Sequence, residues 1–134
     1  MILDEVRAIL STYFMSVWDA TDIAWPNEKP LELQGEAWIR FSLVPYAWMV
    51  PYATSPVRRR ILSGDIVLQV FVPSGAGAGL ATELADEAAS SFSSFSDENV
   101  FCYEAREPVI RGDDGHGWYQ IDIAIPFRAN PTPV

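Results

Sequence analysis

The stretch Trp118-Tyr119-Gln120-Ile121-Asp122-Ile123-Ala124-Ile125-Pro126-Phe127 sets large side chains at 119, 121, 123, 125 and 127 against Gln120, Asp122 and Ala124. A period of two is the signature of a strand with one buried face. A strand this regular needs partners, and the rest of the chain offers three. Ile61 to Val72 places Ile66, Leu68, Val70 and Val72 on one side and Val67, Gln69 and Phe71 on the other. Ala37 to Val44 alternates Ile39, Phe41 and Leu43 with Trp38, Arg40 and Ser42, and Pro45 is expected to end it. Val100 to Glu107 supplies the fourth, joined to the last by the polar turn Arg111-Gly112-Asp113-Asp114-Gly115-His116-Gly117.

Two segments carry the helical period instead. Ile2, Leu3, Val6, Ile9, Leu10, Tyr13, Phe14, Val17 and Trp18 recur at three- and four-residue spacing, with Asp4 and Glu5 at the positive end of the helix dipole. Past the breaker Pro73-Ser74-Gly75-Ala76-Gly77-Ala78-Gly79, a second apolar face runs through Leu80, Leu84, Ala85, Ala88, Phe92 and Phe95. Ala81, Ala88, Ala89, Ser90 and Ser91 are expected on its outward side, keeping it slim enough to lie close to a sheet. The order is α-β-β-α-β-β. We therefore expect an α+β fold with a mainly antiparallel four-stranded sheet and two helices packed on one face. Residues 1–128 are expected to form a single domain, and Ala129 to Val134 a loose, proline-rich tail.

A chain of 134 residues with 49% hydrophobic content has room for one core and no second domain. Its formal net charge of −9, from 18 acidic and 9 basic residues, argues against a general nucleic-acid binder. The same charge suits a surface that DNA passes without sticking. The single cysteine, Cys102, lies in the apolar run Val100-Phe101-Cys102-Tyr103, which reads as a buried, inert thiol and not a cysteine-rich zinc site. Met1-Ile2-Leu3-Asp4-Glu5 lacks the basic region of a signal peptide, and no run approaches a membrane span. A soluble protein made in a reducing cytoplasm is expected.

Catalytic patterns are weak throughout. Gly75-Ala76-Gly77-Ala78-Gly79 stands between a strand and a helix, as phosphate loops do, but has neither the last glycine of a dinucleotide fingerprint nor a Gly-Lys-Ser/Thr ending. It reads as a flexible connection. His116 has Asp113 and Asp114 nearby, a pairing that can act as a base or hold a metal, yet the setting is that of a solvated turn. The tripeptide Arg111-Gly112-Asp113 is too short to identify an adhesion motif. Asp86-Glu87 and Asp97-Glu98 are adjacent pairs whose side chains diverge on a helix, and the serines from Ser90 to Ser96 sit at a helix end. No catalytic residue, cofactor or metal is expected, and the chain is read as not an enzyme.

An interface is the better use of what remains. Pro45-Tyr46-Ala47-Trp48-Met49-Val50-Pro51-Tyr52 and the following Arg58-Arg59-Arg60 read as a long excursion between two strands. Tyr, Trp, Met and Arg are the types enriched where proteins meet. Tyr46, Trp48, Met49, Tyr52, Arg58, Arg59 and Arg60 are thus the candidate contact residues with a second subunit or a partner. An alternative binder would hold an anionic ligand between Gly75–Gly79 and the arginine triplet.

The chain also resembles the tail-terminator-like (minor tail protein U-like) family of long-tailed bacteriophages. The resemblance rests on the amphipathic N-terminal helix, Ala24-Trp25-Pro26-Asn27, Ala37-Trp38-Ile39-Arg40-Phe41-Ser42-Leu43, Val70-Phe71-Val72-Pro73-Ser74-Gly75-Ala76-Gly77, and an alanine-rich helix ending Phe92-Ser93-Ser94-Phe95. It implies a virion structural protein, made in the host cytoplasm, that forms a six-membered ring at the head-proximal end of the tail. Such a ring stops polymerisation of the tail tube protein and receives the head-completion protein, while DNA passes through without specific binding. Another head-tail connector or tail-completion subunit would share these features.

Overall fold

The computed structural model describes residues 2–28, 31, 35–49 and 61–129, with the backbone alone for residues 2 and 47–49. In chain order the elements are α1 (Ile2–Val17), β1 (Asp22–Ala24), β2 (Trp38–Met49), β3 (Ile61–Pro73), α2 (Ala78–Ser91), β4 (Val100–Cys102), β5 (Val109–Asp113) and β6 (Trp118–Ala129). They build one six-stranded sheet, ordered β1-β2-β3-β6-β4, with β5 paired to the same side of β6 as β4.

The fold is α+β, but the sheet has six strands and not four, it is mixed, with four antiparallel pairings and one parallel, and the order α-β-β-α-β-β does not hold. The strand Asp22–Ala24 runs parallel to β2, pairing Asp22 with Trp38 and Ala24 with Arg40. Three residues are too few to display a period. Of the strand expected over 100–107 only Val100–Cys102 forms, and a second short strand follows it at Val109–Asp113. The register against β6 slips: Phe101 faces Arg128, Tyr103 N–H donates to the Pro126 carbonyl, Arg106 N–H to that of Ala124, and Val109 faces Asp122. Each slip is an irregularity that bends an edge strand. Arg111 to Asp113, expected in the turn, belong to β5.

Nor does Pro45 end its strand. It pairs with Gly64, and β2 continues to Met49 past a bulge in which Tyr46 has no opposite number. Proline is tolerated there because, beyond Arg40, no described strand pairs with the outer side of β2. Gly64 is what allows the approach: a Cβ on it would lie 2.7 Å from the Val44 carbonyl oxygen and 2.9 Å from the Pro45 Cα. At the other end, β6 runs beyond the expected Phe127 to Ala129, which is buried beside Val100 and so is not part of a tail. Residues 130–134 lie outside the described part.

The alternation read from the sequence sorts the sheet into two faces. Ile39, Phe41, Leu62, Ile66, Leu68, Val70, Ile121, Ile123, Ile125 and Phe127 point to one side, where Val6, Leu10, Phe14 and Trp18 of the α1 region and Leu84, Ala85, Ala88 and Phe92 of the α2 region complete the core. Full burial of a Leu, Ile or Phe side chain is worth about 1.5–3 kcal/mol, so this layer carries the fold. In α2, Ala81 and Ala88 face inward and are fully buried, while Leu80 is exposed; Ser90 is exposed as expected, and Ala89 and Ser91 are half-buried. For Ala81 and Ala88 that corrects the expected orientation, for a simple reason. A helix lies close to a sheet by turning its small side chains toward it, not away.

Candidate assembly surface

Among the described residues, no helix lies on the second face of the sheet. Its long strands are in register, so the residues that alternate away from the core line up in rows across β2, β3 and β6. One end of this face is aromatic: Trp38 stacks on its register partner Phe71 at 4.1 Å between centroids, and Trp118, opposite Pro73, meets Trp38 edge-on at 6.0 Å. The Arg40 guanidinium covers that stack, 5.4 Å from the Trp38 ring and 5.3 Å from Phe71, and donates to Gln69 Oε1 at 3.2 Å. Trp38 Nε1 is buried there without a hydrogen-bond partner.

The next rows are small and then polar. Ser42, Val67 and Ala124 lie side by side, followed by Val44, Asp65 and Pro126. Arg106 reaches over β6 to pair with Asp65 Oδ2. Asp65, and after it Tyr46, raises the pKa of Arg106 above the ordinary arginine value. Asp65 Oδ1 is buried with no partner. Nearer the other end, Arg111 bonds Asp122 at 2.9 Å.

Around this face and along the β4–β5 flank stand most of the exposed large apolar side chains: Val44, Tyr46, Phe101, Tyr103, Val109 and Ile110. Phe101 and Tyr103 contact each other edge to face at 4.9 Å. The outer side of β5 has no described strand beside it, whereas that of β4 is bonded by the segment after α2: Cys102 N–H donates to the Phe95 carbonyl and Asp97 N–H to that of Val100. An exposed apolar edge of this kind is either protected or used. Contiguous apolar exposure on a small protein marks a surface that meets something.

No family model and no curated protein matches the chain. Among the solved chains that match it, one is 20% identical in sequence, covering 100% of this chain and 99% of that one, with a TM-score of 0.65. At that identity the likeness shows a shared fold alone.

Of the candidate contact residues, Tyr46 is on the bulge of β2, 57% exposed and beside Arg106. Trp48 and Met49 continue β2 opposite Leu62 and Ile61, so the excursion between strands starts later than Pro45. Their side chains, like Tyr52, Arg58, Arg59 and Arg60, lie outside the described residues. Sequence reasoning missed Phe101, Tyr103, Val109 and Ile110. The signal was present in the broken alternation after Cys102, which places consecutive apolar residues where one face cannot hide both.

The other candidates are occupied with structure. Asp113 Oδ1 accepts from Gly115 N–H at 2.8 Å and its Oδ2 from the Ser74 hydroxyl at 2.6 Å. The Ser74 bond, then the Gly115 amide, lowers the Asp113 pKa below 3.8. Asp114 Oδ1 accepts from the N–H groups of His116 and Trp118 at 2.7 and 3.2 Å. These carboxylates shape a turn. The same contacts hold the loop that starts at Ser74 against the Asp113 carboxylate, with Ser74 N–H bonded to the Gly117 carbonyl at 2.9 Å. Anionic surroundings oppose an anion at Gly75–Gly79. The tripeptide Arg111-Gly112-Asp113 is likewise engaged through Asp122 and Ser74, and Gly112 supplies the φ of +77° its bulge requires. Among the described residues no cluster could hold a metal ion, and no helix is long and apolar enough to cross a membrane.

Proposed function

We propose that this chain is a structural subunit that assembles with copies of itself into a ring of the tail-terminator kind, closing a tube end and presenting a face to a head-side partner. The observation that carries this reading is the β4–β5 flank. Its exposed Phe101, Tyr103, Val109 and Ile110 offer apolar contact to another subunit, and β5, which has no described strand on its outer side, offers backbone hydrogen bonds as well. A contact that joins one flank of a subunit to a different surface of the next repeats head to tail and closes into a ring when the rotation allows.

The formal charge of −9 is in keeping with a ring through which DNA passes without adhering. A structural role rather than a catalytic one agrees with the commitment of Asp113 and Asp114 to turn hydrogen bonds. Another head-tail connector or tail-completion subunit would assemble by the same physics, and the partner bound by the finished ring separates the two.

The reading is tested with Ile110→Lys and Phe101→Glu. Both positions are exposed, so folding should survive each change, shown by an unchanged circular dichroism spectrum. Loss of large assemblies in both variants supports the ring. Assembly equal to that of the unmodified chain in both shows that the flank is not the contact.

A further inference from the structure

One apolar row crosses the whole width of the sheet on the side that carries the helices. Ile23 of β1 pairs with Ile39 of β2, Ile39 with Val70 of β3, Val70 with Ile121 of β6, and Ile121 with Ile110 of β5. Ile39, Val70 and Ile121 are buried, but the row is open at both ends: Ile23 is half-buried and Ile110 is 66% exposed. Among the described residues no strand lies beyond either end, on the outer side of β1 or on that of β5. The two end strands also run in opposite directions. β5 is antiparallel to β6, β6 to β3 and β3 to β2, while β1 is parallel to β2. A copy set beside another with its helices on the same side therefore brings β5 against β1 as an antiparallel pair, the commoner kind.

We propose that β5 of one copy pairs with β1 of the next, Ile110 beside Ile23, so that the apolar row and the sheet continue from subunit to subunit. This rests on the ring reading and names the surface that receives the flank. In that register Val109 falls beside Ala24, and Arg111 beside Asp22. Arg111 lies on the helix-free side, where it bonds Asp122. Asp22, opposite Trp38, is on that side too, is exposed, and makes no ion pair with any described residue. The alignment set by the apolar row thus also brings opposite charges together. Opposed unlike charges on neighbouring strands are favourable, and a slip of one residue would turn every side chain to the wrong face. Both halves of the match stand on one chain at opposite edges of its sheet. That makes the contact head to tail and repeating, and selects a second copy as the occupant over an unrelated strand.

The test uses the full chain with a cysteine at one or the other end of the row, Ile23→Cys and Ile110→Cys, as separate variants whose folding is checked by circular dichroism. Opposed residues of an antiparallel pair stand about 4.5–5.5 Å apart between Cα atoms. A disulfide spans roughly 4.4–6.8 Å. Cys102 is buried and takes no part. The mixture is oxidised mildly at a concentration where light scattering shows assemblies. It should give at least about tenfold more cross-linked dimer than either variant alone, because only the mixture meets disulfide geometry. It should exceed by as much a mixture of Ile110→Cys with Thr12→Cys, whose cysteine stands on the exposed side of α1. A chain carrying both Ile23→Cys and Ile110→Cys should give a ladder of multimers.

Assemblies that form while the mixture cross-links no better than these controls overturn the proposal and leave the ring to close through another surface. A ladder without closed rings supports the β5–β1 contact and counts against the ring, so the two readings fail separately. A chain that stays monomeric at every concentration, alone and with tail tubes added, overturns both.

Discussion

Phe14 of α1 and Phe92, just past the end of α2, stack at 5.7 Å between centroids with their planes 11° apart. Through this contact each helix holds the other, and Phe14 also touches Trp18, Trp25 and Phe41. Both rings are fully buried. Phe14→Ala is expected to destabilise the fold by about 3–5 kcal/mol, the cost of a lost aromatic and the cavity it leaves. Urea denaturation with both tryptophan fluorescence and circular dichroism checks this, and a loss under about 1 kcal/mol would mean that the helices are held elsewhere.

Gly64→Ala tests the sheet from within. A Cβ at 2.7 Å from the Val44 carbonyl oxygen and 3.0 Å from a Phe127 ring carbon has nowhere to go without moving backbone. The expected cost is about 1–3 kcal/mol, typical of overpacking. Gly79→Ala, where a Cβ meets nothing within 4 Å, serves as the control and should not fall with it.

How much of this was legible in the sequence differs from element to element. β3 and β6 could be read directly, because one face meets helices and the other does not, so alternation survives along each strand. β1 could not, since three residues parallel to β2 are placed by tertiary contact rather than by local pattern. β2 was cut short at Pro45 because a proline removes a ladder donor, a rule that relaxes at an outer edge. For the same reason Tyr46 was foreseen as a contact residue within a loop, whereas it stands on a strand bulge. The flank residues Val109 and Ile110 were missed because exposure at an edge follows from which strands stop short, and that is a property of topology.

Cys102 offers a chemical check. Burial pushes its thiol up to about 12 from an ordinary 9.0. Because the folded value is the higher one, the stabilising preference for the thiol form is complete below 9.0 and fades as pH rises toward 12. At pH 8 a thiol reagent should label the folded protein at least about a hundredfold more slowly than the urea-unfolded chain, since the thiolate is the nucleophile. Equal rates would contradict the buried position of β4.

The Ser74–Asp113 hydrogen bond ties the loop before α2 to the β5 end. Ser74→Ala should return the Asp113 pKa toward 3.8, because that bond is the largest cause of its depression. A depressed carboxylate stabilises the fold above its unfolded pKa and ceases to as pH falls through the folded one, so the variant should be less stable than the unmodified chain above about pH 4, and this difference should vanish as pH falls further. Carboxyl carbon NMR titration reads the shift. An unmoved Asp113 in the variant would show that the Gly115 amide alone sets it.

The proposed assembly through the exposed flank and its apolar residues has a direct readout in the mass of the protein in solution. Light scattering after size exclusion over a wide range of protein concentration, with electron microscopy of the largest species, is the measurement. A closed ring with a central opening is expected for the unmodified chain, and its loss in Ile110→Lys. A chain that stays monomeric at every concentration, alone and with tail tubes added, would contradict assembly through the flank.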